Sequence, residues 1–208
     1  MIIYNNMKKI VFSILILIST ITFGQNFGGG FTLGINGSQV SGDQLSGFNK
    51  FGARAGVFTF YNINDQSKLK LELVFSQKGS RKNPTSENPT SFLLRLNYVE
   101  MPLLYEYELP VYNLNVFIGL AGAVLTKTTD NIWDENGLVA MLEPFYRFEF
   151  SVVAGFGYDI NDSHRMFFEV DQSILPIRKH YSGATYYFNR GMYNTVITLG
   201  YVFTFPRD

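Results

Sequence analysis

Nine charged residues fall inside segments that otherwise alternate apolar and polar side chains: Arg54, Lys70, Glu72, Glu100, Glu106, Arg147, Glu149, Glu169 and Asp171. Clustered carboxylates are the material of general acid–base catalysis, where two acids in different surroundings take opposite roles. Here both signs recur within strands, so mutual ion pairing in an enclosed space accounts for them more simply. Other catalytic signals are sparse. His164 lies in a short connection and His180 in a long one, at opposite ends of the elements between them, so they share neither a metal nor a triad. A serine hydrolase would have to pair His180 with Ser173 or Ser182. Gly28-Gly29-Gly30 opens a strand rather than a helix and lacks the setting of a phosphate-binding loop. No catalytic residue, cofactor or metal is expected, and the chain reads as non-enzymatic.

A second cluster lies in Asp130-Asn-Ile-Trp-Asp-Glu-Asn-Gly137, expected to be a loop. Asp130, Trp133, Asp134 and Glu135 are its candidates for recognition. The carboxylates could hold calcium, but their spacing departs from that of a calcium loop. Trp133 could anchor a partner or sit among headgroups. Arg178, Lys179, His180 and Arg190 make the last long connection basic, fit to meet anionic headgroups.

Strands must position these residues. Alternation at period two, without a helical period, marks segments at about 28–40, 51–63, 68–79, 92–107, 114–126, 146–159, 165–174 and 192–205. The last shows it best: Ile197, Leu199, Tyr201, Phe203 and Phe205 share one face, and Val196, Thr198, Gly200, Val202 and Thr204 the other. Short connections (64–67, 108–113, 160–164) alternate with long ones (41–50, 80–91, 127–145, 175–191). That sorting predicts an all-β, eight-stranded antiparallel up-and-down transmembrane barrel, with short periplasmic turns and long extracellular loops. Strands of about 9–11 residues suit a tilted crossing. The apolar faces then turn to lipid and the nine charges turn inward, filling a lumen too narrow for an open pore. In the fourth strand Leu94, Leu96 and Tyr98 share a face with Glu100 and Glu106, and its early part is expected to rise above the bilayer. Pro102, lacking an N–H, is expected to mark a bulge. The alternative is a soluble lipocalin-like periplasmic barrel, its apolar faces turned in around a small apolar ligand.

The start of the chain bears on that choice. Lys8 and Lys9 precede an apolar run from Ile10 to Phe23, the form of a secretory signal peptide spanning 1–24, with the barrel domain at 25–208. Met7 is a second candidate start. Without residues 1–24 the chain holds 15 basic and 17 acidic residues over 184 positions, a net charge of −2. No basic face for nucleic acid is expected at that balance. There is no cysteine, which removes disulfides and a lipid-anchoring thiol. Phe and Tyr number 20 and 13 against one Trp, a composition suited to strands.

The stretch Tyr98-Val-Glu-Met-Pro-Leu-Leu-Tyr-Glu-Tyr107 resembles the "Y-[LV]-E-[IM]-P-L-L" segment of PorT-like outer-membrane β-barrel proteins of Bacteroidetes-type bacteria. Val116-Phe-Ile-Gly-Leu-Ala-Gly-Ala123, Val153-Ala-Gly-Phe-Gly-Tyr-Asp159 and Thr198-Leu-Gly-Tyr-Val-Phe203 are similar to that family as well. The resemblance implies an outer-membrane barrel, and some members are implicated in secretion machinery. Phe203 and Phe205 resemble the C-terminal aromatic signal read by barrel-assembly machinery. Expected partners are therefore outer-membrane lipid, the assembly machinery during insertion, and a membrane or surface protein.

Overall fold

Period-two alternation leaves each strand one face for its neighbours' side chains and one for its surroundings, and nine strands result. They are β1 (Phe27–Ser41), β2 (Lys50–Asn62), β3 (Ser67–Lys82), β4 (Ser91–Leu109), β5 (Leu114–Asp134), β6 (Gly137–Val139), β7 (Phe148–Asn161), β8 (His164–Ser173) and β9 (Tyr193–Thr204). This computed structural model describes residues 26–206 apart from 44, 46, 85–90, 135–136, 140–143 and 180–190. The segment expected to be a signal peptide, 1–24, lies outside the described residues. Each long strand pairs antiparallel with the next, and β1 pairs with β9 from Gly30↔Thr204 to Ser41↔Tyr193. Eight strands thus close a barrel, and β6 is a short ribbon added to the far end of β5. Closure pairs each long strand on both sides, though β3 runs beyond its ladder with β2 past Ser76.

The short connections gather at one rim. Between β4 and β5 the chain turns through a 3₁₀ helix (Pro110–Tyr112), and Asn113 takes a left-handed φ of 52° to begin β5. The opposite rim carries the long connections and is bevelled. β5 runs for 21 residues, well beyond the expected end at 126, and β4 for 19. Their ladder continues to Ser91↔Trp133, whereas β7 leaves β5 at Val124↔Phe148. β3 to β6 therefore stand above the rest of the wall as a raised blade.

Two irregularities shape that blade. The β4–β5 register shifts at Asn97/Tyr98: Tyr98 faces Leu125 and Asn97 faces Lys127, leaving Thr126 as the extra residue. The Thr126 hydroxyl donates to the Asn97 carbonyl at 2.9 Å. Pro102 does not mark a bulge. It pairs with Ala121 in unbroken register, and pairing to β3 lapses between Leu71↔Leu103 and Val74↔Glu100 before resuming in the same register. A missing N–H deletes a rung; an extra residue is what shifts a ladder.

The outward faces carry Leu33, Ile35, Leu73, Met101, Ile118, Leu120, Phe150 and Leu199, all well exposed. Inward faces carry the buried charges and two apolar clusters. One joins Phe58, Phe60, Leu104, Phe117, Val153, Phe167 and Val202 on the side of the short turns. The other joins Val40, Phe92, Leu94, Leu96, Tyr98, Ile177 and Met192 under the raised rim. At Gly200, where β9 faces inward, a Cβ would stand 2.3 Å from the Phe167 ring, so the glycine makes room for that aromatic.

Candidate functional site

Inward positions on five strands converge on one chain of ion pairs. At the short-turn end Arg165 (β8) grips Asp159 (β7) with two nitrogens, at 2.5 and 3.1 Å, and reaches Glu106 (β4) at 2.9 Å. Lys70 (β3) bridges Glu106 at 3.4 Å and Glu72 at 2.7 Å, and Lys68 approaches Glu106 at 3.6 Å. Arg54 (β2) takes Glu72 at 2.6 Å, Glu169 (β8) at 3.3 Å and Glu100 (β4) at 3.5 Å. Lys78 (β3) closes the upper end on Glu100 at 2.7 Å, Asp171 at 2.7 Å and Glu149 (β7) at 2.9 Å. Asn194 (β9) donates to the other Glu149 oxygen at 2.7 Å. A neutral tie lies beside the network: Thr198 donates to Asn36, which donates to Ser76.

Alternation forces this meeting. Side chains two apart on a strand share a face, so Lys70, Glu72, Ser76 and Lys78 line up on β3, and Glu100 and Glu106 on β4. An eight-stranded lumen then brings facing walls within the reach of one side chain. Arg54 and Lys78 are at most 3% exposed, and each touches three carboxylates, which is what makes such burial tolerable. The network as described joins Lys68, Lys70, Lys78, Arg54 and Arg165 to Glu72, Glu100, Glu106, Glu149, Glu169, Asp159 and Asp171, so acids outnumber bases. Between Lys70, Glu72, Leu104 and Glu106 the remaining space is about 10 Å³, no more than a single water needs.

Of the nine residues singled out by pattern, eight lie in this network and one does not. Arg147 is exposed at the bend before β7. Its spacing from Glu149 would turn it inward only if the wall continued, and β7 begins at Phe148. Lys78, which meets as many carboxylates as Arg54, escaped the pattern reading, as did Lys68, Arg165 and Asp159. Lys78 shares the parity of Lys70 and Ser76, and Arg165 that of Glu169 and Asp171, so the signal was present in the spacing.

The second cluster is not a loop up to Asp134. Asp130 is in β5, turned inward by the Thr126 bulge, and bonds Arg178 at 2.9 Å. Trp133 and Asp134 belong to the same strand by backbone pairing, and Glu135 lies outside the described residues. Arg178 is buried and stacked on Phe145 at 4.5 Å, so of the last basic connection only Lys179 is described as exposed. His180, Ser182 and Arg190 fall outside the described residues. Ser173 is buried, its hydroxyl accepting from the Asn194 backbone at 2.8 Å. His164 opens β8 and bonds the Tyr201 hydroxyl at the short-turn rim. Among the described residues no group of three or more acidic or histidine side chains is arranged to hold a metal ion.

A closed barrel with charge inside and exposed Leu, Ile and Phe outside defines a transmembrane β-barrel of the outer-membrane class. Residues 23–177 match the family described as Outer membrane protein beta-barrel domain, and the chain belongs to that family. It is similar in fold to Ail, the attachment invasion locus protein of Yersinia pestis, at 11% identity and a TM-score of 0.52, over 87% of this chain and 100% of Ail. It is likewise similar to Neisserial surface protein A, at 9% identity and a TM-score of 0.51, over 86% of this chain and 96% of that one. At such identities the likeness is one of fold. No curated protein matches in sequence. The protein resides in the outer membrane, its short turns periplasmic and its raised rim extracellular. A soluble lipocalin-like barrel is not favoured: it would turn Leu199 inward, and Leu199 is 61% exposed.

Proposed function

We propose that the chain is a non-enzymatic, plugged outer-membrane barrel of the PorT-like kind that acts by surface interaction or as an accessory to a secretion complex, through its raised extracellular blade. The observation that carries this reading is the packed interior. A lumen crossed at its middle by the Arg54 and Lys78 ion pairs offers no through-route for solute. The resemblance of the segment from Tyr98 to Tyr107 to the PorT-like pattern supports the finer assignment. A sheet edge supports interaction: among the described residues β6 ends the strand order with its outer side unpaired, and such an edge accepts another strand. Phe203 stacks on Phe31 at 5.1 Å and Phe205 meets it edge-on at 6.4 Å at the closing seam, which fits a last strand delivered by the assembly machinery and zipped onto β1.

The test joins two measurements on the full chain. In planar bilayers the purified protein is expected to give no steady conductance. In whole outer membranes, cross-linking is expected to give a discrete adduct, lost when 127–145 is replaced by a two-residue turn in a barrel that still shifts on heating in gels. Porin-scale conductance, or adducts indifferent to that replacement, would remove this reading.

A further inference from the structure

The extracellular rim carries positive charge that the interior network does not use. Arg81 (β3) stands opposite Leu93, and Arg95 (β4) opposite Gly79, so the two guanidinium groups are diagonal neighbours on one outward face. Lys127 (β5) faces out beside them, opposite Asn97, because the Thr126 bulge reverses its side. All three are exposed. Lys50 joins them from the start of β2. Its ammonium donates to the Phe51 carbonyl and, at 3.3 Å, to Gln77 Oε1, and it lies within electrostatic range of Arg95 and Arg81. None of these four cations has a carboxylate partner among the described residues.

The fold builds a groove at this place. The β2–β3 ladder stops at Arg54↔Ser76, while β3–β4 pairing runs on to Lys82↔Phe92. β2 touches β3 once more at Gly52, where a Cβ would stand 2.0 Å from the Gln77 carbonyl oxygen. Beyond that contact lies an open groove of about 440 Å³, lined by Lys50, Phe51, Gln77, Arg81, Leu93 and Arg95. Cations thus share the lining with Leu93 and with Phe51, which is 72% exposed.

Its height matters as much as its charge. On this face the apolar band ends at Phe75 and Val99, followed by Gln77 and Asn97, which bond each other at 3.1 Å. Arg95 is four residues beyond Val99, about 13 Å along the strand and about 10 Å along the membrane normal at a tilt near 40°. That is the level of lipid headgroups.

We propose that this groove binds the phosphate-bearing headgroup of an outer-leaflet lipid, whose acyl chains lie against the Phe75 and Val99 face below. Guanidinium forks match phosphate oxygens in pairs, and clustered cations at a membrane surface select anionic headgroups. A soluble phosphate or a sulfated polymer would use the same cations but not the apolar surface directly beneath them. The last basic connection, which the sequence pattern favoured for this task, has committed Arg178 to Asp130.

The test uses the full chain folded in a neutral detergent, with two probes: lipid A carrying two phosphates, and the same lipid dephosphorylated. Native mass spectrometry is expected to show retention of the phosphorylated lipid at least tenfold stronger than of the dephosphorylated one. The double variant Arg81→Gln, Arg95→Gln should weaken retention by roughly tenfold to thirtyfold, at about 1 kcal/mol per cation, and Arg95→Gln alone by about fivefold. Lys179→Gln, exposed on the last connection, should leave it unchanged. Both arginines point away from the barrel, so the heat shift in gels should persist in the variants. Equal retention of the two lipids would overturn the proposal, as would full retention by the double variant. So would displacement of the lipid by millimolar inorganic phosphate, which would make the free anion the ligand.

Discussion

The outward faces of the lower and upper halves of the barrel wall obey opposite rules. Between the short turns and the level of Val99, the inward faces hold Arg54, Lys70, Glu72 and Glu106, while the outward faces hold Leu71, Leu73, Met101 and Leu103. Above that level the inward faces hold Phe92, Leu94, Leu96 and Tyr98, while the outward faces hold Arg81, Arg95, Asn97 and Lys127. The strands do not change their alternation; the solvent around them changes. Lipid rewards apolar residues outside and leaves polar ones only the lumen, whereas water outside restores the ordinary arrangement of an apolar core. β4 makes the switch by composition alone, within two residues. β5 makes it with a bulge, because Lys127 in unbroken alternation would have followed Ala121 and Ala123 inward.

That contrast can be broken at graded cost. The largest effect is expected for Lys78→Met, which leaves Glu100, Glu149 and Asp171 buried without their shared cation. A loss of about 3–5 kcal/mol is expected, read as a fall in the urea midpoint or as absence of the heat-shifted band. A wild-type midpoint would mean that the carboxylates find other partners. Leu199→Arg places a charge on the lipid face below the switch and should cost about 2–4 kcal/mol. The control is Arg95→Leu, on an outward face above the switch, which should stay within about 0.5 kcal/mol. Equal costs for those two changes would erase the boundary. Asp130→Leu should leave Arg178, buried under the raised rim, without its carboxylate, at about 1–3 kcal/mol. Faster proteolysis confined to the extracellular blade would report it. The smallest effect is expected for Glu169→Gln: acids outnumber bases in the network, so one carboxylate can be neutralised for less than about 1 kcal/mol. A collapse there as severe as that of Lys78→Met would show that the network needs every charge.

Much of this was legible in the chain. The strand count of the barrel, the sorting of short and long connections, and the inward side of Glu72, Glu100 and Glu169 all follow from alternation, which is a local property. Lys78 was legible too, by parity with Lys70. What failed were readings that depend on where a wall ends. Arg147 continues the β7 pattern past the last paired residue, and Asp130 to Asp134 form strand beyond the height of the other walls. The pairing of Asp134 with Gly137 had a cue in the sequence, the hairpin-favouring Asn136-Gly137.

By itself the sequence determined which face of each strand is apolar, because side chains two apart share a side whatever surrounds them. It also determined that the faces carrying charge had to be enclosed together, since lipid cannot host them. Only the tertiary structure decided which cation meets which carboxylate, because Lys78 reaches Glu149 and Asp171 across the lumen, 71 and 93 residues away in the chain. Closure and shear set those pairings. They also set the height at which the wall leaves the membrane, and thereby whether Arg95 faces acyl chains or the headgroups above them.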